Sequence, residues 1–196
     1  MAICLAQVPE ADAVLDENPL ALLVGMLLDQ QFPMERAFAG PQLIETRLGT
    51  RLTARALADA DPDALVTLFT GPPAVHRYPA SMAQRTQALA RHLLEHYDGD
   101  VERVWSEAAD GRELLRRLNG LPGFGKQKAQ IFVALLGKQR GVQPPGWEQA
   151  AGGYGDVGVH RSVADVVDGQ SLAAVRAYKQ EKKAAAKKSA EQEVEA

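Results

Sequence analysis

A single cysteine, Cys4, is the whole sulfhydryl complement of this 196-residue chain. An intrachain disulfide is therefore excluded, and so is a four-cysteine zinc or iron–sulfur site. Long apolar runs are also missing: none approaches the roughly 20 residues needed to span a bilayer. The first residues, Met1-Ala2-Ile3-Cys4-Leu5, lack a basic segment and are too short an apolar stretch for a secretory signal. The expected compartment is the cytoplasm, with no membrane association. Excess positive charge is absent as well. The net charge is −3, which argues against a general nucleic-acid coat. With 46% hydrophobic and 24% charged residues, the composition fits one ordinary globular domain or two small lobes sharing a cleft.

What charge there is lies unevenly. Gly111 to Arg140 carries +6, from Arg112, Arg116, Arg117, Lys126, Lys128, Lys138 and Arg140 against Glu113, leaving −9 elsewhere. A basic segment in an acidic protein points to a local anionic partner; a solvated helix face is the competing reading.

The pattern is helical almost throughout, so the expected fold is all-α. Asn18-Pro19 reads as an N-cap with proline in the first turn, opening a nearly all-apolar run from Leu20 to Leu28 that should be buried. Ser81-Met82-Ala83-Gln84 reads as a capping box. Beyond it, Met82, Thr86, Leu89, Leu93 and Tyr97 recur at helical spacing, while Arg85, Gln87 and Arg91 should face outward. Leu114, Leu115 and Leu118 form one stripe of a short helix whose other positions include arginines, and Ile131 to Leu136 reads as a central core helix. Gly71-Pro72-Pro73 opens a loop to Pro79. Gly141 to Gly158 is a long glycine- and proline-rich stretch, and such loops are usually functional or disordered. The expected organisation is one domain over 1–177. It has a helical lobe of about 19–140, a second lobe made of the N-terminus and about 150–177, and a charged tail, 178–196, that is a frayed helix or disordered.

Between two expected helices runs Leu121-Pro122-Gly123-Phe124-Gly125-Lys126-Gln127-Lys128-Ala129. Gly123 and Gly125 lack a β-carbon, so the backbone can turn sharply and approach a ligand. The helix opening near Lys126 aims its unsatisfied N–H groups and positive dipole end at the same place, which suits a DNA phosphate. Lys126 and Lys128 add positive charge. Leu121 and Phe124 should hold the hairpin shut.

This string resembles the hairpin of the helix-hairpin-helix DNA glycosylases, a superfamily also defined by a Gly/Pro-rich loop and a following aspartate. Leu27-Leu28-Asp29-Gln30-Gln31-Phe32 is similar to the glutamine element after the family's first core helix. Gly141 to Gly155 stands where the Gly/Pro-rich loop belongs, although the family's usual spacing would end near Pro145. Asp156-Val157-Gly158-Val159-His160-Arg161 resembles the family's aspartate followed five residues later by a basic residue. The resemblance covers about residues 19 to 166. It implies a two-lobed all-α glycosylase that binds double-stranded DNA; a monomer is the default expectation. Leu121, Gly123, Gly125, Lys126, Lys128, Gln30, Gln31 and Arg161 would contact DNA. Asp156, expected at a helix start, would be the catalytic carboxylate, with Asp165 as the alternative. Bifunctional relatives use a lysine where this chain has Gln127, so a monofunctional enzyme is implied. No cofactor or side-chain metal is expected; a monovalent cation at hairpin carbonyls is the one ion implied.

Several other residues carry weaker signals. His92 and His96 lie four apart but lack a third ligand, so a solvated face is the better reading. His76 and His160 stand in loops that can reach DNA. Trp105, Trp147, Phe32, Tyr78 and Tyr154 are the aromatics available to an extruded base. The rival readings are a non-catalytic helix-hairpin-helix DNA-binding protein and a protein-interaction module. The sequence leaves the base itself open, with an alkylated purine first because its positive charge makes it a ready leaving group.

Overall fold

The computed structural model describes residues 2–194, with side chains described through 185. Glu195 and Ala196, the end of the expected charged tail, lie outside the described residues, as does Met1. Among the described residues there are eleven α-helices: α1 (Pro9–Glu17), α2 (Pro19–Leu28), α3 (Met34–Leu48), α4 (Ala54–Asp59), α5 (Pro62–Thr70), α6 (Pro79–Tyr97), α7 (Arg103–Ser106), α8 (Gly111–Asn119), α9 (Lys126–Gln139), α10 (Trp147–Ala151) and α11 (Gly169–Val194). Short 3-10 turns occupy Gly152–Tyr154 and Val163–Asp165, and no strand occurs among the described residues. The fold is all-α.

Local chemistry explains most boundaries. The Asn18 side chain accepts from Leu20 N at 3.1 Å, and Pro19 takes the first position of α2, where a missing N–H is harmless. Asn18 also donates to Leu52 O at 2.9 Å, so one cap fixes two segments. Every residue of α2 from Leu20 to Leu28 is buried. In α6, proline decides the start. The helix opens at Pro79 with no side-chain cap, and the capping box expected at Ser81 does not form.

Gln87 departs from its expected outward position. It is buried, and its amide donates to the carbonyls of Leu57, Ala58 and Ala60 at 3.3, 3.4 and 2.7 Å. Carbonyls at the end of α4 would otherwise lack partners. The stripe Met82, Thr86, Leu89 and Leu93 is buried as expected.

Helices α1 to α6 pack largely on one another: α2 and α1 lie against α3, and α4 and α5 against α6. A second group forms around α9, which packs on α8, α10 and the turn at Val163–Asp165. Phe132 to Leu136 of α9 are all buried, and Phe132 meets Trp105 and Phe124 edge-on. Trp105 is thereby a core residue. The glycine- and proline-rich stretch is more ordered than its composition suggests. It contains α10, whose Trp147 ring lies against Gly137 of α9.

Candidate nucleic-acid interface

The hairpin joins α8 to α9, and its turn is closed by Leu121 N donating to Leu118 O and Phe124 N to Leu121 O. Leu121 is 2% exposed, so its side chain belongs to the core and cannot itself touch DNA. The two glycines do different work. Gly123 has φ +83°, and a β-carbon there would meet Leu27 Cδ1 at 2.4 Å. It serves the close packing of hairpin on α2. Gly125 has φ −102° and ψ 173°, and a β-carbon there would meet nothing within 4 Å. Gly125 is the N-cap of α9 and brings no capping side chain. The first turn of α9 therefore carries no side-chain cap at the positive end of a 14-residue helix, and the space beside its N-cap is open. Lys126 stands exposed beside them.

Lys128 turns the other way. Its sequence position suggests that it faces a phosphate, yet its Nζ donates to Met26 O and Leu27 O, each at 2.8 Å. These are C-terminal carbonyls of α2, and a cation is favoured there by the helix dipole. Lys128 thus clamps α2, and the glutamine loop that follows it, to the hairpin helix. Burial pulls its ammonium down to about 8, against the opposing pull of Asp29. Burial likewise pushes the Asp29 carboxyl up, opposed by Lys179 and Lys128.

A pH effect follows from Lys128. Below about pH 8 the folded state holds a buried ammonium that the unfolded chain would hydrate freely. Between about 8 and the ordinary lysine value the folded lysine is neutral while the unfolded one still binds a proton. Stability must therefore rise with pH across that window. At about 1.4 kcal/mol per tenfold change in proton affinity, the gain is at most about 3 kcal/mol. Urea unfolding at a series of pH values should show the rise in the wild type and its loss in Lys128→Met. Parallel profiles for the two proteins would contradict it.

The glutamine loop is held from behind by His76. His76 is 1% exposed, so it cannot reach DNA as the loop position suggested. Its Nδ1 accepts from Tyr78 N at 3.0 Å, which leaves Nε2–H to donate to Gln30 O at 3.1 Å. Burial lowers its proton affinity, consistent with that neutral form. Gln30 Oε1 accepts from Arg85 Nη1 at 2.9 Å. Gln31 takes φ +52° and is exposed, a left-handed conformation uncommon for a non-glycine residue. Beside the loop lies a cavity of about 260 Å³ lined by Gln30, Gln31, His76, Tyr78, Ser81, Met82 and Arg85. The roles of Arg85 and His76 in holding Gln30, and of Asp29 beside Lys128, gave no signal in the sequence, because their partners lie on other elements.

The two candidate carboxylates have unlike surroundings. Asp165 is 4% exposed and ion-paired to Lys138 Nζ at 2.6 Å. Its Oδ2 accepts from Arg161 N at 2.8 Å and Ser162 N at 3.0 Å, closing a capping box with Ser162. Asp156 is 54% exposed. It does not sit at a helix start, as expected, but in the loop after Gly155. Arg161 Nη1 donates to its Oδ2 at 2.7 Å and to Gly153 O at 2.7 Å, while Lys138 Nζ donates to its backbone oxygen. Arg161 is accordingly a brace for Asp156 rather than an arm extended to a phosphate. Among the described residues Oδ1 of Asp156 has no partner, the Arg161 bond going to Oδ2. Two residues earlier, Tyr154 accepts a bond from Gln127 Nε2 at 2.8 Å. The position occupied by a lysine in bifunctional relatives is thus tied to the aspartate loop.

Away from this face, the His92 and His96 rings lie 4.3 Å apart. Among the described residues no group of three His, Cys, Asp or Glu side chains is placed to hold a metal. Among them, too, no helix is long and apolar enough to cross a membrane.

A model of the HhH-GPD superfamily of base excision DNA repair proteins matches residues 24–196. No curated protein and no solved structure matches the chain.

Proposed function

The chain belongs to the HhH-GPD superfamily of base excision DNA repair proteins, and from that premise we propose that it is a monofunctional DNA glycosylase. It works as a cytoplasmic monomer on double-stranded DNA and releases a damaged or inappropriate base. The observation that carries this reading is the join between Gln127 at the start of α9 and Tyr154 in the aspartate loop. It links an open phosphate seat at Gly125 to an exposed carboxylate at Asp156.

In this scheme a phosphate rests on the first-turn amides of α9, with Lys126 beside it. Gln31 enters the stack where the base has left, and Gln30, held by Arg85, keeps the loop in place. Extrusion costs about a few kcal/mol, least for damaged or mismatched bases. The cavity between the glutamine loop and α6 would receive the base against Tyr78. As the C1′–N bond breaks, its electron pair leaves with the base and positive charge builds on the sugar. Asp156 stabilises that charge and accepts the proton of the water that forms the new C1′–O bond. A cationic alkylated purine departs neutral and needs no dedicated acid, which places it first among the substrates. A monovalent cation belongs to the same proposal. Leu121 O accepts one hairpin N–H and retains a lone pair for it, and its charge would brace the turn.

The proposal is tested on the strand that remains. A single-lesion duplex should yield an abasic strand that stays intact until heated in alkali. Borohydride should trap no protein on it, because the Gln127 amide cannot form a Schiff base. Efficient trapping that disappears in Lys126→Ala would overturn the monofunctional assignment.

A further inference from the structure

By composition residues 178–196 read as a frayed helix or a disordered tail, with no catalytic role. In the structure α11 runs from Gly169 to Val194 as one helix of 26 residues, about 39 Å long at 1.5 Å per residue. Its start is well anchored. Asp168 Oδ1 accepts from Ser171 N at 2.7 Å, and Leu172 and Val175 are buried. From Arg176 to Ala185 no residue is buried, so packing does not account for the helix continuing.

Its charge is ordered. Arg176 is ion-paired with Glu35, at the start of α3 just past the glutamine loop. Lys179, one turn on, lies close enough to Asp29 at the end of α2 to lower that carboxyl's proton affinity. Lys183 follows four residues later on the same stripe, with Lys182 beside it. Glu181 is the sole acidic residue from Lys179 to Lys183. The stripe leaves the protein at the edge of the Gln30-Gln31 loop. Like charges four apart on a helix weaken it, and a row of phosphates would relieve them.

We propose that α11 from Lys179 to Lys183 is a second duplex contact, laying its lysines along the DNA backbone beside the glutamine loop and the hairpin. The proposal rests on the reading of this face as a DNA interface and extends it beyond the hairpin. DNA is favoured over an anionic membrane because Tyr178 is the one large apolar residue between Arg176 and Ala185. Interfacial helices need an apolar face to bury.

The test is the salt dependence of duplex affinity in the full chain carrying Lys179→Gln, Lys182→Gln and Lys183→Gln. All three positions are exposed, so the fold should survive, and a circular dichroism melt checks this. Removing one lysine–phosphate pair lowers the slope of log affinity against log salt by about 0.9. A fall of about 2 to 3, with at least tenfold weaker binding near 0.1 M salt, is expected. Wild-type slope and affinity in the triple variant, with the wild type binding duplex well, would overturn the α11 contact alone. A wild type that fails to bind duplex at all would overturn the DNA interface and this contact with it. Binding of phosphatidylserine vesicles that the substitutions abolish, with duplex affinity unchanged, would also overturn it.

Discussion

Replacing Asp156 with Asn is expected to leave affinity for a lesion duplex equal or slightly tighter, and to cut base excision by at least ~100-fold. That factor is about 2.7 kcal/mol of transition-state stabilisation. The substitution keeps the side-chain shape and can still accept from Arg161, so the loop should hold. What it removes is the full negative charge that a cationic sugar requires. Asp156 is suited to the task because it is 54% exposed and, among the described residues, only one of its two carboxylate oxygens is engaged by the protein. Asp165 is not: at 4% exposure it already faces Lys138 and two backbone amides. Asp165→Asn should therefore show first as lost stability. Removing one partner of a buried ion pair typically costs about 3 to 5 kcal/mol. Wild-type turnover in Asp156→Asn would refute the assignment.

Gly125→Val should be the most damaging substitution for binding that spares the fold. The backbone there, φ −102° and ψ 173°, is one that a β-branched residue adopts readily. A β-carbon would meet no protein atom within 4 Å. The isopropyl group would instead occupy the space in front of the α9 amides, where the phosphate is proposed to sit. Hydrogen bonds to a charged group are worth about 1.5 to 3 kcal/mol, so duplex affinity should fall roughly 10- to 100-fold while the melting temperature holds. Gly123→Val should do the opposite. Its φ of +83° and the contact with Leu27 make it a folding defect first. Unchanged affinity in Gly125→Val would sink the hairpin as the phosphate seat.

Local signals in the sequence were legible because they act within a few residues. Asn18-Pro19 marked the start of α2, the apolar run marked its burial, and the hairpin's glycines marked its turn. Family resemblance supplied the roles. What stayed hidden depends on partners far along the chain. Lys128 reads as a surface cation until the carbonyls of Met26 and Leu27, about a hundred residues away, are seen to need a donor. Gln87 falls on an outward position of its own helix, yet α4 ends beneath it. His76 reads as a loop residue but props Gln30 from within. Charge and spacing show that a group is polar; only the fold shows whether protein or solvent satisfies it. The long loop misled in a different way. Glycine and proline hid α10, because Trp147 is ordered by packing against Gly137 and not by helix propensity. The capping box at Ser81 lost to Pro79, which fixed the helix start three residues earlier.

Glycosylase action is the central claim, and the release of free base tests it most directly. Duplexes each carrying one alkylated, deaminated or oxidised base should be incubated with the purified chain, and the small-molecule fraction assayed by mass spectrometry. The account predicts that free base appears from at least one class, alkylated purines first, in proportion to protein and far above the rate in buffer. Tight binding to those duplexes with no base released from any of them would contradict it, leaving a helix-hairpin-helix protein that holds DNA without cutting its glycosidic bonds.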